Sequence, residues 1–336
     1  MSEIIQTGYR LKDTFGFEIT AQYFSAPKTS AEIKKLLGDF AGTPVLVVGG
    51  CSNMVLAENF EGLVINPQIK HIKMRTKDDL VYLKVGAGVM LDDFVRFTCE
   101  NNYSGAENLS GIPGNVGAAP VQNAGAYGTA LGDIITAVEG FFIDSMKRFK
   151  FSITDCKFGY RDSIFKNELR QKTVIDSVTF GLTTKNHSFY LDYGDLKEQV
   201  QKRGKITPLT IRETILDIRS SKLPDPVQLG NAGSFFKNPL VDKKQAMYLS
   251  DIYPEMPVFL TEDGIKLSAA WLIDRAGLKG ARSGNVGLYP QQPLVIVNYG
   301  GATVDELLNF SKFVQQTVHS RFNVSLEPEV NIIGHV

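Results

Sequence analysis

The chain has 336 residues, 43% of them apolar and 21% charged, and its 36 basic and 36 acidic side chains cancel. That composition predicts an ordinary globular core, and the lack of a basic excess argues against a nucleic-acid or membrane-surface role. Three scattered cysteines (Cys51, Cys99, Cys156), a polar start without an apolar h-region and no bilayer-length apolar run predict a reduced cytoplasmic protein with neither disulfide framework nor metal site.

In chain order, Ser30–Leu37 reads as a helix capped by Ser30, and Val45–Val48 as a short strand ending in Gly49-Gly50. Leu63–Ile65 and Val81–Val85 are further strands, the latter closed by Gly86-Ala87-Gly88. Leu91–Asn101 has helical spacing, with Phe94, Val95 and Thr98 on one face. Val138–Ile143, Lys147–Ser152 and Val174–Phe180 follow one another with little helix between them, which predicts antiparallel or mixed sheet. Helices are expected over Thr210–Ser221, Val241–Ile252 and Leu267–Ala276, the last stopped by Gly277. Thr303 to Glu306 is a capping box, and the stripe Leu307, Phe310, Val314, Val318, Phe322 behind it reads as core. The final strand is expected over Glu329–Ile333.

Between Asn108 and Gly132 there is no charged residue. The run IPGNVGAAPVQNAGAYG, Ile112–Gly128, holds four glycines and four alanines, and Pro113 and Pro120 forbid a long helix. Glycine lets the backbone approach a ligand, and successive N–H groups in such turns form a nest for an anion such as a pyrophosphate. Gly49-Gly50-Cys51-Ser52-Asn53, after a strand, offers a second set of backbone and short side-chain donors. There is no GxxxxGK[ST], and Gly86-Ala87-Gly88 begins a GxGxxG pattern only for Leu91 to take the third glycine's place.

Seven motifs in order then fix a resemblance. They are GGCSN at Gly49–Asn53, the run Ile112–Gly128, FGYRDSIF at Phe158–Phe165, YGDL at Tyr193–Leu196, KLPDP at Lys222–Pro226, GNAGSFFKNP at Gly230–Pro239 and LEPEV at Leu326–Val330. Together they resemble the bacterial UDP-N-acetylenolpyruvoylglucosamine reductases, in the type I subtype with a substrate-closing loop. The resemblance implies an α+β chain with an FAD-binding fold of the vanillyl-alcohol-oxidase/PCMH type and a C-terminal α/β substrate-binding domain. It divides the chain into FAD-binding parts 1–70 (joined by 325–336) and 71–205, and a substrate-binding part 206–324. It implies non-covalent FAD, NADPH as co-substrate and a UDP-sugar enolpyruvyl ether as hydride acceptor, in a monomer that binds neither nucleic acid nor membrane. The family's first motif usually reads GxGSN; Cys51 stands at its second glycine, so a strained φ is expected there.

The resemblance also carries roles onto residues. Gly49, Gly50, Cys51, Ser52, Asn53, Ile112, Pro113, Gly114, Val116, Gly117, Gln122, Asn123, Gly125, Ala126 and Tyr127 would hold the flavin. Arg161 and Glu327 would polarise the enolpyruvyl carboxylate, and Ser234 would protonate the enolate. Tyr160, Tyr193, Lys222, Asn238, Phe259 and Gln292 would face the substrate, with Lys222 at a helix end. The segment 250–263 stands where the closing loop belongs, with Phe259 in place of its tyrosine and Tyr253 nearby as a substitute hydroxyl. A flavin oxidase of the same fold is the alternative, and a non-catalytic nucleotide-binding module a third reading; the polar set Arg161, Ser234 and Glu327 favours the reductase, because an oxidase has no enolate to protonate.

Overall fold

The computed structural model describes residues 5–261 and 264–334; Glu262 and Asp263, which end the expected lid segment, lie outside the described residues, as do the outermost positions of the ranges 1–70 and 325–336. The chain forms two compact units, one of Met1–Arg10, Thr20–Gly50 and Phe60–Arg219, the other of Leu11–Ile19, Cys51–Asn59 and Ser220–Val336.

In the first unit, a four-stranded sheet runs in the order Gln6–Lys12, Glu18–Ser25, Phe60–Ile65, Val45–Val47. Phe60–Ile65 lies parallel to both of its neighbours. The helix beside it is Ser30–Asp39, and its cap is Thr29, not Ser30. Thr29 has extended backbone and its hydroxyl accepts the Glu32 N–H at 3.1 Å, whereas the Ser30 hydroxyl donates instead to the buried Asp176 at 2.6 Å.

The expected middle sheet is present with five strands, ordered Arg148–Ser152, Ile135–Phe142, Thr173–Thr183, Leu80–Gly86, Ile72–Lys77. Every neighbouring pair is antiparallel. Helix Leu91–Glu100 buries Leu91, Phe94, Val95, Thr98 and Cys99, and Phe94 stacks on Phe180 of the sheet at 4.3 Å. Gly86 and Gly88 serve close packing: a Cβ on either would sit within 2.5 Å of the Gln68–Ile69 backbone. That is why the two glycines stand there without completing a nucleotide fingerprint.

The second unit packs helices Lys243–Ile252, Ala269–Arg275 and Val304–Phe322 with three small sheets around a core that includes Phe15, Phe235, Phe236, Leu272, Phe310 and Phe322. The capping box forms in both directions, Thr303 Oγ1 accepting from Glu306 N and Glu306 Oε2 from Thr303 N. The stripe behind it is buried as expected, and Gly277 follows helix Ala269–Arg275 with φ +81°. The helix expected from Val241 begins at Lys243, because Asp242 caps it and Leu240–Val241 pairs as a strand with Ile265 and Lys266. Strand Asn331–Ile333 lies parallel to Met54–Leu56, and Asn331 donates through both its N–H and its side-chain amide to the Asn53 carbonyl.

Asp13 anchors this unit from the inside. It is 5% exposed, and its two oxygens accept the N–H groups of Phe17 and Leu56 at 3.0 and 2.9 Å. Burial pushes its carboxyl up to about 6, against the pull of those backbone donors. An unfolded aspartate titrates near 3.9, so the folded chain holds this proton more tightly. The associated stability is fully present below about pH 4 and is lost as pH rises through about 6. Asp13→Asn is expected to flatten that fall by roughly 2–3 kcal/mol, read from urea unfolding across the window, while lowering stability throughout because one N–H loses its acceptor. A parent whose stability does not fall across the window would contradict this.

Candidate active site

The glycine-rich run is laid backbone to backbone along residues 87–92. Leu91 N–H donates to Gly114 O, Val116 N–H to Val89 O and Gly117 N–H to Ala87 O, all at 2.9–3.0 Å. Asn115 Nδ2 adds a bond to Gly88 O. Gly117 is required, since a Cβ there would lie 2.5 Å from Ala87 Cβ. Gly49 and Gly50 come up against the same run: their Cβ positions would fall 3.0 Å from Asn115 Oδ1 and 3.6 Å from Gly114 Cα. Among the described residues, no acceptor within the chain faces the N–H groups of Gly50, Gly114 or Asn115. Unspent donors beside the close-packed Gly49 and Gly117 fit a flavin diphosphate.

Cys51 has φ +50°, the strain expected from its place in the motif. Its thiol is buried, and burial, aided by the nearby Asp13 charge, pushes it up to about 12. Such a thiol is not the nucleophile a covalent flavin link would need. Ser52 is half-buried, and Asn53 Nδ2 donates to the Glu329 carbonyl at 3.3 Å.

FGYRDSIF is stapled onto the same run within the first unit. Arg161 Nη2 donates to Gly125 O at 2.5 Å, Ser163 Oγ to Val121 O at 2.5 Å and Asn123 Nδ2 to Gly159 O at 2.9 Å. Asn123 Oδ1 accepts from Gly132 N, and Lys166 Nζ donates to Arg161 O. The Arg161 guanidinium also lies 5.6 Å from the Tyr160 ring centroid. Arg161, Asn123 and Tyr127 all have φ near +50°. Non-glycine residues rarely adopt that region, and such strain concentrates at functional sites. The Tyr127 ring meets Tyr193 edge-on at 5.4 Å, and burial pushes its phenol up. Asn108, unremarked in the sequence, holds the far end of the run by donating to the carbonyls of Tyr127 and Tyr190. Ile112, Pro113, Gln122 and Ala126 complete it.

In the second unit, residues 234–237 lie between strand Gln292–Asn298 and the segment 327–329. Ser234 bridges Val295, Phe236 bridges Pro328, and Lys237 N–H donates to Glu327 O. Ser234 is half-buried. The Glu327 side chain is 74% exposed and pairs with Lys237 Nζ at 3.1 Å. Glu329, two residues on, is half-buried, and its N–H donates to Phe235 O. Asn238 Oδ1 accepts from Ala269 N at the start of helix Ala269–Arg275, whose cap is Ser268. Lys222 is exposed at the end of helix Pro208–Lys222, and Gln292 opens strand Gln292–Asn298. Phe259 sits on the exposed strand Val258–Thr261, 5.6 Å from Lys266 Nζ. Tyr253 packs edge-on against Trp271 and Phe322, both at 5.5 Å, so its ring is committed to the core.

A backbone nest without lysines, beside a strained arginine and on a two-sheet scaffold, defines a flavin-dependent oxidoreductase of the vanillyl-alcohol-oxidase type. Residues 21–142 match the family model of an FAD binding domain, and residues 225–333 match that of the UDP-N-acetylenolpyruvoylglucosamine reductase C-terminal domain. Proteins named UDP-N-acetylenolpyruvoylglucosamine reductase from Flavobacterium johnsoniae and Chromobacterium violaceum are 42% and 40% identical to this chain. The alignments cover 98% and 96% of it, and 99% and 96% of those proteins. The chain belongs to the UDP-N-acetylenolpyruvoylglucosamine reductase family. The UDP-N-acetylenolpyruvylglucosamine reductase of Thermus caldophilus shares the fold, with a TM-score of 0.66 at 24% identity over 98% of this chain and 99% of that one. A solvent-stable cholesterol oxidase also shares it, at 0.56 and 11% over 97% and 87%. The oxidase likeness therefore concerns the fold alone. Among the described residues no helix is long and apolar enough to cross a membrane.

Proposed function

We propose that this chain reduces the enolpyruvyl ether of UDP-N-acetylglucosamine to UDP-N-acetylmuramate with NADPH, in the cytoplasm and as a monomer, and that it holds FAD without a covalent link. The observation that carries the reading is Arg161, whose guanidinium is tied to the Gly125 carbonyl and whose backbone is strained at φ +54°. The cradle residues Gly49–Asn53 and Ile112–Tyr127 would hold the flavin, which when bound supplies the hydride.

Arg161 orients the enolpyruvyl carboxylate with its planar fork and stabilises the negative charge that grows on that group as hydride arrives. Ser234 delivers a proton to the adjoining carbon, a transfer that needs the alkoxide left behind to be stabilised by a donor. Lys222, Asn238, Gln292, Tyr160 and Tyr193 bind the diphosphate and sugar, and Phe259 closes over them by apolar contact. Because Tyr253 is packed into the core, the closing strand works without a hydroxyl. The chain has no role on nucleic acid or membrane in this reading.

The resemblance gives the carboxylate partner of Arg161, in LEPEV, as Glu327. Its exposure and its ion pair with Lys237 give it the surroundings of a solvated charge, whereas Glu329 is half-buried. A group meant to share a proton with substrate needs partial desolvation, which favours Glu329. Glu329→Gln is therefore expected to lower kcat by about 10²-fold or more, and Glu327→Gln by less than about threefold, in steady-state assays. The opposite order would return the role to Glu327.

The reading as a whole is tested by the visible spectrum. The purified chain should be yellow, bleach anaerobically with NADPH and regain its colour rapidly on adding the enolpyruvyl substrate but slowly in air. A chain that recovers as fast with oxygen alone is an oxidase, and one that takes up no flavin is neither.

A further inference from the structure

Gly111, the residue before the cradle, is gripped from two sides within the first unit. Asp92 Oδ1 accepts its N–H at 2.6 Å, and Arg219 Nη2 donates to its carbonyl at 2.9 Å. Its φ is +73°, and a Cβ would sit 2.8 Å from Arg219 Nε, so conformation and space both demand glycine. Asp92 is itself held by Arg212, whose Nη1 and Nη2 donate to its two oxygens at 2.6 and 2.7 Å. The Arg212 side chain is only 7% exposed. Burial alone would push the Asp92 carboxyl up, but Arg212 and the Gly111 N–H hold it below the usual carboxylate range.

Only Arg212 is stripped of water, since the Asp92 side chain is 36% exposed, and the cost of burying the guanidinium offsets much of what the pair contributes to stability. Its placement points to a second role. Asp92 is the second residue of helix Leu91–Glu100, and the Leu91 N–H holds Gly114 O while Asp92 holds Gly111 N. Val116 and Gly117 are fixed to Val89 and Ala87. Gly114 and Asn115, whose N–H groups are unspent, are thus suspended between anchored points on one support.

We propose that the Asp92–Arg212 pair positions the cofactor diphosphate site by fixing the Gly111 turn, so that the N–H groups of Gly114 and Asn115 converge on phosphate oxygens. This rests on the reading that Ile112–Gly128 holds the flavin diphosphate. Asp92 and Arg212 act through Gly111 and are positioning residues. Neither residue was singled out by sequence, because the pair joins positions 120 apart.

The test uses full-length protein stripped of flavin, titrated with FAD by fluorescence quenching, with thermal unfolding of the same apo preparation alongside. Asp92→Ala/Arg212→Leu removes both charges together. It is expected to unfold within a few degrees of the parent, yet to raise the FAD dissociation constant on the order of tenfold or more, because the donors are no longer held in register. Should that variant not fold, Arg212→Lys keeps the charge, loses the two-pronged grip and is expected to weaken FAD in the same direction at unchanged apo stability. A dissociation constant within about twofold of the parent, or one that changes only as apo stability is lost, overturns the proposal. Gly114→Ala separates the two ideas, since its φ of +101° strains any side chain placed there. If Gly114→Ala weakens FAD and the pair variants do not, only the positioning role fails. If Gly114→Ala also leaves FAD binding intact, the flavin-site reading itself falls.

Discussion

Arg161→Lys is expected to slow re-oxidation of the reduced flavin by enolpyruvyl substrate about 10²- to 10³-fold while leaving its reduction by NADPH within about twofold. Lysine keeps the charge but not the fork, and the loss falls on a single half-reaction because only that half-reaction builds charge on a carboxylate. Stopped-flow traces at the flavin band separate the two. The bond from Arg161 to Gly125 O makes the control informative. If lysine slowed both half-reactions equally or emptied the site of flavin, the arginine would be a structural staple of the cradle, not a catalytic residue.

Ser234→Ala should show the second large effect, a fall in kcat of about 10³-fold, within the range general acids contribute. Ser234 lies in backbone that is bridged to Val295, and its neighbour Phe235 is bonded to both Leu294 and Glu329. Removing one hydroxyl therefore leaves the strand in place, and substrate KM should move little. Substrate turned over slowly in deuterium oxide should still carry one solvent-derived hydrogen, now without facial preference. Retention of near-parental kcat would remove Ser234 from the chemistry.

Much of this architecture is legible in the chain because local and global preferences agree. The spacing of Phe94, Val95 and Thr98 gives the buried face of its helix, and Thr303 with Glu306 gives the start of Val304–Phe322. The run Ile112–Gly128 stands out in the sequence through what it lacks, namely charge and bulk. The illegible parts depend on contacts between distant positions. Strand Glu18–Ser25 buries small and polar residues such as Ala21 and Ser25, which dilutes its alternation. Gly86 and Gly88 look like half a nucleotide motif until Gln68 and Ile69 are seen against them. LEPEV offers two glutamates of equal standing as letters, and only burial tells them apart. Tyr253 reads as a spare hydroxyl near the lid, but Trp271 and Phe322 claim its ring.

The parallel pairing of Asn331–Ile333 with Met54–Leu56 bears on when the protein becomes competent. Asn53 and Glu329 are 276 positions apart, yet their hydrogen bond, with those from Asn331, secures the turn Cys51–Asn53. At about 5–20 residues per second, a ribosome that has emitted Asn53 needs roughly a quarter of a minute to a minute to reach its partners. Throughout that interval the turn lacks the bonds that Glu329 and Asn331 supply. Closure of the turn Cys51–Asn53 thus waits until Glu329 and Asn331 have been made.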